Sequence, residues 1–263
     1  MVGREAELLK GFIILLSLPV LILPLAISGY IIVRGWGGMA EAGELLGQVT
    51  GSLLLAGMGC TLATPLSLGL AVWLCFQPAR RGMSWLLRLQ LLQAIPPLIY
   101  GLGGMVILVQ GLHWGMSLLA GAIVLAVIVF PQMTLNYLAA LRRIPKEWTE
   151  SARCLGLGSG CIVLRVWLPG AWHGLVTGLL LSLARTLAET APVLFTAAVF
   201  SGVVWPQSFL SPVTTLQTHV FYLAQEGVDE HAATMAWTAA AGLVLLVLSC
   251  SLIAQWLRAR SLR

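Results

Sequence analysis

The sequence predicts an all-α integral membrane protein, with six transmembrane helices and one short polar helix on the cytoplasmic side. Three observations carry that expectation. The chain of 263 residues is 59% hydrophobic and only 10% charged, with a mean hydropathy of +0.92, whereas soluble chains carry about 25% charged residues. Its apolar residues gather in runs long enough to cross ~30 Å of hydrocarbon, where a backbone must satisfy its own hydrogen bonds as a helix or closed barrel. Every Lys and Arg except Arg34 and Arg185 falls at the same end of successive runs, the asymmetry that orients a protein in a membrane.

Taken in order, the first span covers about Gly11 to Val33, with Pro19 and Pro24 as expected kinks. It is too long and too proline-rich for a cleaved signal peptide. A short loop with Trp36, Glu41 and Glu44 leads to a second span, about Ser52 to Phe76, bent near Pro65. Arg80, Arg81 and Arg88 precede a third span, about Leu89 to Val109, which Pro96-Pro97 interrupts. Prolines at mid-membrane can expose backbone to a substrate, although a packing kink explains them as well. A turn at His113 opens the fourth span, about Gly115 to Tyr137; the fifth runs about Ala171 to Val199, and a loop from Gly202 to Glu230 precedes the sixth, about Ala233 to Leu257. Six crossings put both termini, the basic residues and the 145–169 loop in the cytoplasm, and the outer loops are acidic, with Glu41, Glu44, Glu226, Asp229 and Glu230. Residues 1–263 read as one integral domain.

The net charge of +5 is thereby a matter of topology rather than of nucleic-acid binding. The five cysteines lie in apolar spans or in the cytoplasmic loop, with no extracellular pairing pattern, and read as free thiols. The four histidines have no metal-ligand spacing, and no glycine-rich loop carries the lysine that cradles phosphates, so the chain is expected to bind neither metal nor ATP.

Two polar places remain. Between the fourth and fifth spans, Pro145 suits the first position of a helix, Glu147 and Glu150 suit its opening turns, and Gly156 supplies a left-handed stop. A short helix ending in a sharp turn between two spans can be a lever for a partner, or a plain charged connector. Inside the fifth span stand Arg185 and Glu189, one helical turn apart and about 21 Å along the helix from Ala171. A mid-membrane arginine costs at least ~2.5 kcal/mol and marks a functional site by default. Gly170, Gly174, Gly178 and Ser182 form a small-residue stripe on the same side, which turns the pair toward the bundle. A guanidinium there suits an oxyanion, and a structural ion pair fits the spacing equally.

Glu150-Ser151-Ala152, Gly156, Val166, Leu168 and Pro169 stand at the intervals of the E-A-A, G and I-x-L-P positions of binding-protein-dependent ABC importer permeases, which this chain therefore resembles. Two further runs are similar to phosphate importer permeases of the PstA type: Arg185 through Thr196, with its Glu189-Thr190-Ala191-Pro192 core, and Ile95 through Leu102. Together the matches cover about residues 52–257. The resemblance implies a type I ABC importer permease in a bacterial or archaeal inner membrane. It implies that Glu150, Ser151, Ala152, Gly156, Leu168 and Pro169 couple the chain to an ATP-binding subunit dimer, which holds ATP and Mg. It further implies that Arg185, Glu189 and Thr190 line the substrate path. A second permease chain, PstC-like, and a periplasmic binding protein would complete the assembly in the lipid bilayer. One departure bears on the substrate: Leu135 and Leu138 stand where the phosphate branch carries an arginine and an acidic residue. A sulfate, molybdate or tungstate permease is the alternative within the class, and a secondary transporter without an ATPase the alternative outside it.

Overall fold

The computed structural model describes residues 2–199, 205–225 and 230–260. Glu226, Asp229 and Arg263, which enter the charge asymmetry above, lie outside the described residues. The described chain is helical almost throughout: α1 (Val2–Gly35), a 3₁₀ stretch (Trp36–Leu45), α2 (Leu46–Cys75), α3 (Ala79–Ala94), α4 (Pro97–Gly104), α5 (Leu118–Leu141), α6 (Lys146–Cys154), α7 (Ser159–Ile162), α8 (Leu168–Ala188), α9 (Ala191–Thr196), α10 (Leu216–Gln225) and α11 (Glu230–Arg260). Between its helices run short turns and irregular stretches, and the β structure among the described residues is an isolated parallel bridge between Ala198 and Val213. Five helical stretches are long and apolar enough to cross a membrane, and α3 with α4 supply a sixth span if the bent pair counts as one.

The prolines act in different ways. Pro19, Pro24, Pro65 and Pro131 are absorbed inside continuous α1, α2 and α5. Pro96-Pro97 instead produces a bend of 78° between 80–94 and 97–111. The third span therefore does not start at Leu89. Its helix begins at Ala79 and carries Arg80, Arg81 and Arg88 on its exposed side, while Gly82, Trp85, Leu86 and Leu89 recur at helical spacing on its packed side. Beyond the bend, α4 continues into a π-helical stretch, Met105–Gly111.

The packing centre is α2 beside α5, both running toward the basic end. Gly59 permits the approach, since a methyl there would lie 3.1 Å from Leu125 Cβ. At the basic end Leu74, Met133, Tyr137, Leu141, Ile162 and Trp167 form one buried cluster. At the far end Leu55, Leu118, Leu125, Val193 and Val213 form another. Rings and guanidiniums mark both ends: Arg88 lies over Trp85 at 4.9 Å and Arg260 over Trp256 at 3.8 Å, opposite Arg34 over Trp237 at 5.8 Å. Amphipathic side chains collect in this way where bilayer meets water.

The described part of the Gly202–Glu230 stretch is not a solvent loop. It folds back into the bundle, burying Val213, Thr214, Thr215, Leu216, Gln217 and Thr218. Buried backbone requires partners, and the first turn of α5 supplies some of them. The amides of Leu118 and Leu119 donate to the carbonyls of Ser211 and Phe209 at 2.9 Å each, and Ser117 caps the helix through its own side chain. These are the donors that a helix start leaves without intrahelical acceptors. Gly51 provides the clearance on α2, because a methyl there would collide with the Thr214 carbonyl oxygen.

Candidate functional site

At the basic end, α6 begins one residue later than the sequence suggests. Pro145 is the cap, in extended conformation, and Lys146 is the first helical residue. The far side of α6 closes as a Schellman motif. Leu157 N–H donates to the Ala152 carbonyl at 3.1 Å and Gly156 N–H to that of Arg153 at 2.9 Å, with Gly156 at φ +77°. Ala152 is buried, and Leu157 packs on the same cluster. The Ala and Gly of the motif thus have one local cause: the helix must stop within a turn against a packed wall. No atom lies within 4 Å of a Cβ added at Gly156, so a side chain there costs backbone strain alone. Gly156→Ala is therefore expected to cost about 1–2 kcal/mol locally, whereas Gly156→Asn recovers most of it, because asparagine tolerates the left-handed region. Hydrogen exchange at the Gly156 and Leu157 amides reads this directly. Equal protection in the glycine and alanine forms would show that the stop does not depend on glycine.

Two contacts fix α6 to the spans, and a third braces the ring that makes one of them. Trp167 Nε1 donates to Thr149 Oγ1 at 3.0 Å, the Trp167 ring stacks on Phe76 at 4.9 Å, and Gly170 lies under Trp148. Neither Thr149 nor Trp167 stands out in the sequence, because each looks like an ordinary helix residue. Glu150, Ser151 and Leu155 face outward, and Leu155 is 81% exposed. The short helix is thus held from behind and bare in front. Leu168-Pro169 is passed into the fifth span by a π-helical stretch, Val163–Trp167, in which Leu168 N–H reaches back to the Val163 carbonyl. That wider turn removes the clash a proline ring makes with the carbonyl four residues earlier.

The fifth span differs from the expected continuous helix over Ala171–Val199. Helix α8 ends at Ala188, Glu189 takes an extended conformation (φ −81°, ψ 112°), and α9 restarts at Ala191. Pro192 is the reason: it lacks the N–H that would bond to Ala188, and its ring would strike that carbonyl. The small-residue stripe does pack as anticipated, with Gly174 against Ala140 and Gly178 against Asn136 and Tyr137 of α5.

Arg185 and Glu189 meet across the break. Arg185 Nη2 lies 3.6 Å from Glu189 Oε1, and the side chains are 39% and 16% exposed. This is a loose, single contact rather than a bidentate clamp, and Arg185 Nε is buried without a hydrogen-bond partner. Thr190 is half-buried beside them as the cap of α9. The break is held open from the side by a residue the sequence does not single out. Gln217 Nε2 donates to the Leu187 carbonyl, while Ser52 Oγ donates to Gln217 Oε1 at 3.0 Å and accepts from the Leu216 amide at 2.9 Å. The two motif runs also converge: a methyl on Gly101 would lie 2.7 Å from Pro192 Cα, so α4 crosses the start of α9. Leu135 and Leu138, by contrast, are taken up in the packing of the basic-end cluster.

Comparison with known proteins places these features. Residues 63–263 match the family described as "Binding-protein-dependent transport system inner membrane component". A Bacillus subtilis protein described as a probable ABC transporter permease, YqgI, is 26% identical over 232 residues, covering 83% of this chain and 79% of that one. A Methanocaldococcus jannaschii protein described as a probable phosphate transport system permease, PstA, is 30% identical over 215 residues, covering 80% and 74%. Among solved structures, the inward-facing MetNI methionine ABC transporter matches with a TM-score of 0.66 at 19% identity, covering 84% of this chain and 97% of that one; at that identity the likeness concerns the fold. With its helical order, its glycine-stopped polar helix and a family match over most of its length, this chain belongs to the binding-protein-dependent transport system inner membrane components, the permease subunits of ABC importers.

Proposed function

We propose that this chain forms the membrane path for an inorganic oxyanion, with phosphate the first candidate, in an importer driven by a separate ATPase. The observation that carries the reading is Arg185. Its guanidinium stands at a helix break, touches Glu189 only at 3.6 Å and keeps a buried Nε without an acceptor. A guanidinium so placed has donors left for a tetrahedral anion. In this reading the basic end and both termini face the cytoplasm, and an ATP-binding dimer, holding ATP and Mg, grips the bare face of α6. Glu150, Ser151, Ala152, Gly156, Leu168 and Pro169 pass its movement to the spans. A second permease chain, of a different, PstC-like kind, faces this one, and a periplasmic binding protein delivers the anion at the far end.

The phosphate permease relatives support phosphate, and the apolar Leu135 and Leu138 favour a related oxyanion such as sulfate, molybdate or tungstate. Reconstitution with the neighbouring subunits in proteoliposomes separates them. ATP hydrolysis is expected to rise several-fold with one loaded binding protein and its oxyanion. Stimulation by no oxyanion would overturn the reading.

A further inference from the structure

A cavity with a polar rim lies at the basic end, away from the helix break. It has a volume of about 190 Å³ and opens between α5, α8 and α11. Arg143, just past the end of α5, and Arg258, in the last turn of α11, both line it. Among the described residues, no carboxylate lines it. Deeper in stands Asn136, two helical turns before Arg143, and its Nδ2 is buried without an acceptor.

The walls are fixed. Gly178 brings α8 against Asn136, where an added methyl would lie 3.1 Å from Asn136 Cβ, and Gly174 brings it against Ala140. Thr177 gives its hydroxyl proton to the His173 carbonyl at 2.7 Å within α8, and its Oγ1 lies 3.5 Å from the Ala254 carbonyl, which sets α8 beside α11 one turn before Arg258. Three helices are thus joined around a space lined by two guanidiniums and an amide donor. Arginines near helix C-termini also balance the helix dipole. The dipole gives no reason for Asn136, seven residues deeper, to bury a donor with nothing to receive it.

We propose that this cavity is a second anion site, built for a single phosphate-like group at the basic end. Planar guanidinium forks match the oxygens of phosphate, and a neutral amide donor deeper in completes the set. The volume is below the ~300 Å³ at which pockets for drug-sized ligands begin, so the occupant is a small oxyanion or a lipid phosphate rather than a nucleotide. The site is separate from Arg185, which lies about 10 Å further along α8 than Gly178. It stands whether or not Arg185 carries a transported anion.

The test uses the assembled transporter with its ATPase, in phosphatidylcholine nanodiscs. Radiolabelled inorganic phosphate measures a soluble anion, and phosphatidylglycerol added to the discs, followed by native mass spectrometry, measures a lipid headgroup. Arg143→Gln with Arg258→Gln should lower occupancy of at least one probe about tenfold, and the paired lysine replacements should retain it. Ala139→Glu should do the same by placing a carboxylate at the rim, and it carries the test if the double glutamine form fails to assemble. In an Arg185→Gln background, which removes phosphate held at the helix break, the paired glutamine replacements should still lower the remaining occupancy about tenfold. Loss of phosphate alone identifies a soluble anion, and loss of phosphatidylglycerol alone identifies a lipid headgroup. The proposal is overturned if neither probe binds the parent protein, if the rim and arginine variants bind like the parent, or if Arg185→Gln abolishes the same binding.

Discussion

Arg185→Gln is expected to lower the initial rate of oxyanion uptake by about 10- to 150-fold while the complex still assembles. The range follows from removing a charge-assisted interaction, about 1.5–3 kcal/mol, at about 1.4 kcal/mol per tenfold change. Glutamine keeps hydrogen-bonding capacity and much of the length, so what disappears is chiefly the charge. Its partner Glu189 contacts it at 3.6 Å and is 16% exposed, and glutamine leaves that carboxylate with no cation beside it. Proteoliposome uptake measured beside co-purification of all subunits separates two roles. Lost uptake in an intact complex assigns Arg185 to the path. A complex that falls apart assigns it to structure, as an ion pair across the break in the fifth span.

Glu150→Arg is expected to abolish stimulation of ATP hydrolysis by the loaded binding protein and to cut uptake to about a tenth or less. The chain should still insert. Glu150 is exposed on α6, and the contacts that seat that helix come from Trp148, Thr149 and Ala152 instead. It shares a basic-end cavity with Arg142, Lys146 and Arg153, where it is the one carboxylate among the described lining residues. Reversing its sign removes a charged contact worth about 1.5–3 kcal/mol to a partner and adds repulsion. Basal and stimulated hydrolysis, measured in the same preparation as uptake, check the result. Normal stimulated hydrolysis together with normal uptake would detach α6 from energy transfer.

What the sequence reveals divides by range. The stop at Gly156 is legible because a left-handed residue, a buried Ala152 and a hydrophobic Leu157 all act within one turn. The stripe from Gly170 to Ser182 is legible for the same reason, since helical spacing alone puts it on one face. The start of α3 is hidden by Arg80, Arg81 and Arg88, which lower the local hydropathy without interrupting the helical period of Gly82, Trp85, Leu86 and Leu89. Pro192 stands in plain view, yet the break it causes is masked by the apolar residues on both sides. The refolded 205–218 segment is the least legible element. Thr214, Thr215, Gln217 and Thr218 look like loop residues, and the groups that make their burial tolerable, Ser52 and the Leu187 carbonyl, are 165 and 30 positions from Gln217 in the chain.

That last arrangement limits how the far end of the protein can move. Gln217 grips α2 through Ser52 and the interrupted fifth span through Leu187, and the Leu216 amide holds Ser52 from the other side. Stranding one such buried group costs about 1–3 kcal/mol. A hinge that separated α2 from α8 at this level would have to unlatch the whole cluster in a single stroke. Swinging both helices together with the inserted segment, as one rigid paddle, breaks none of these bonds and is the motion the architecture favours.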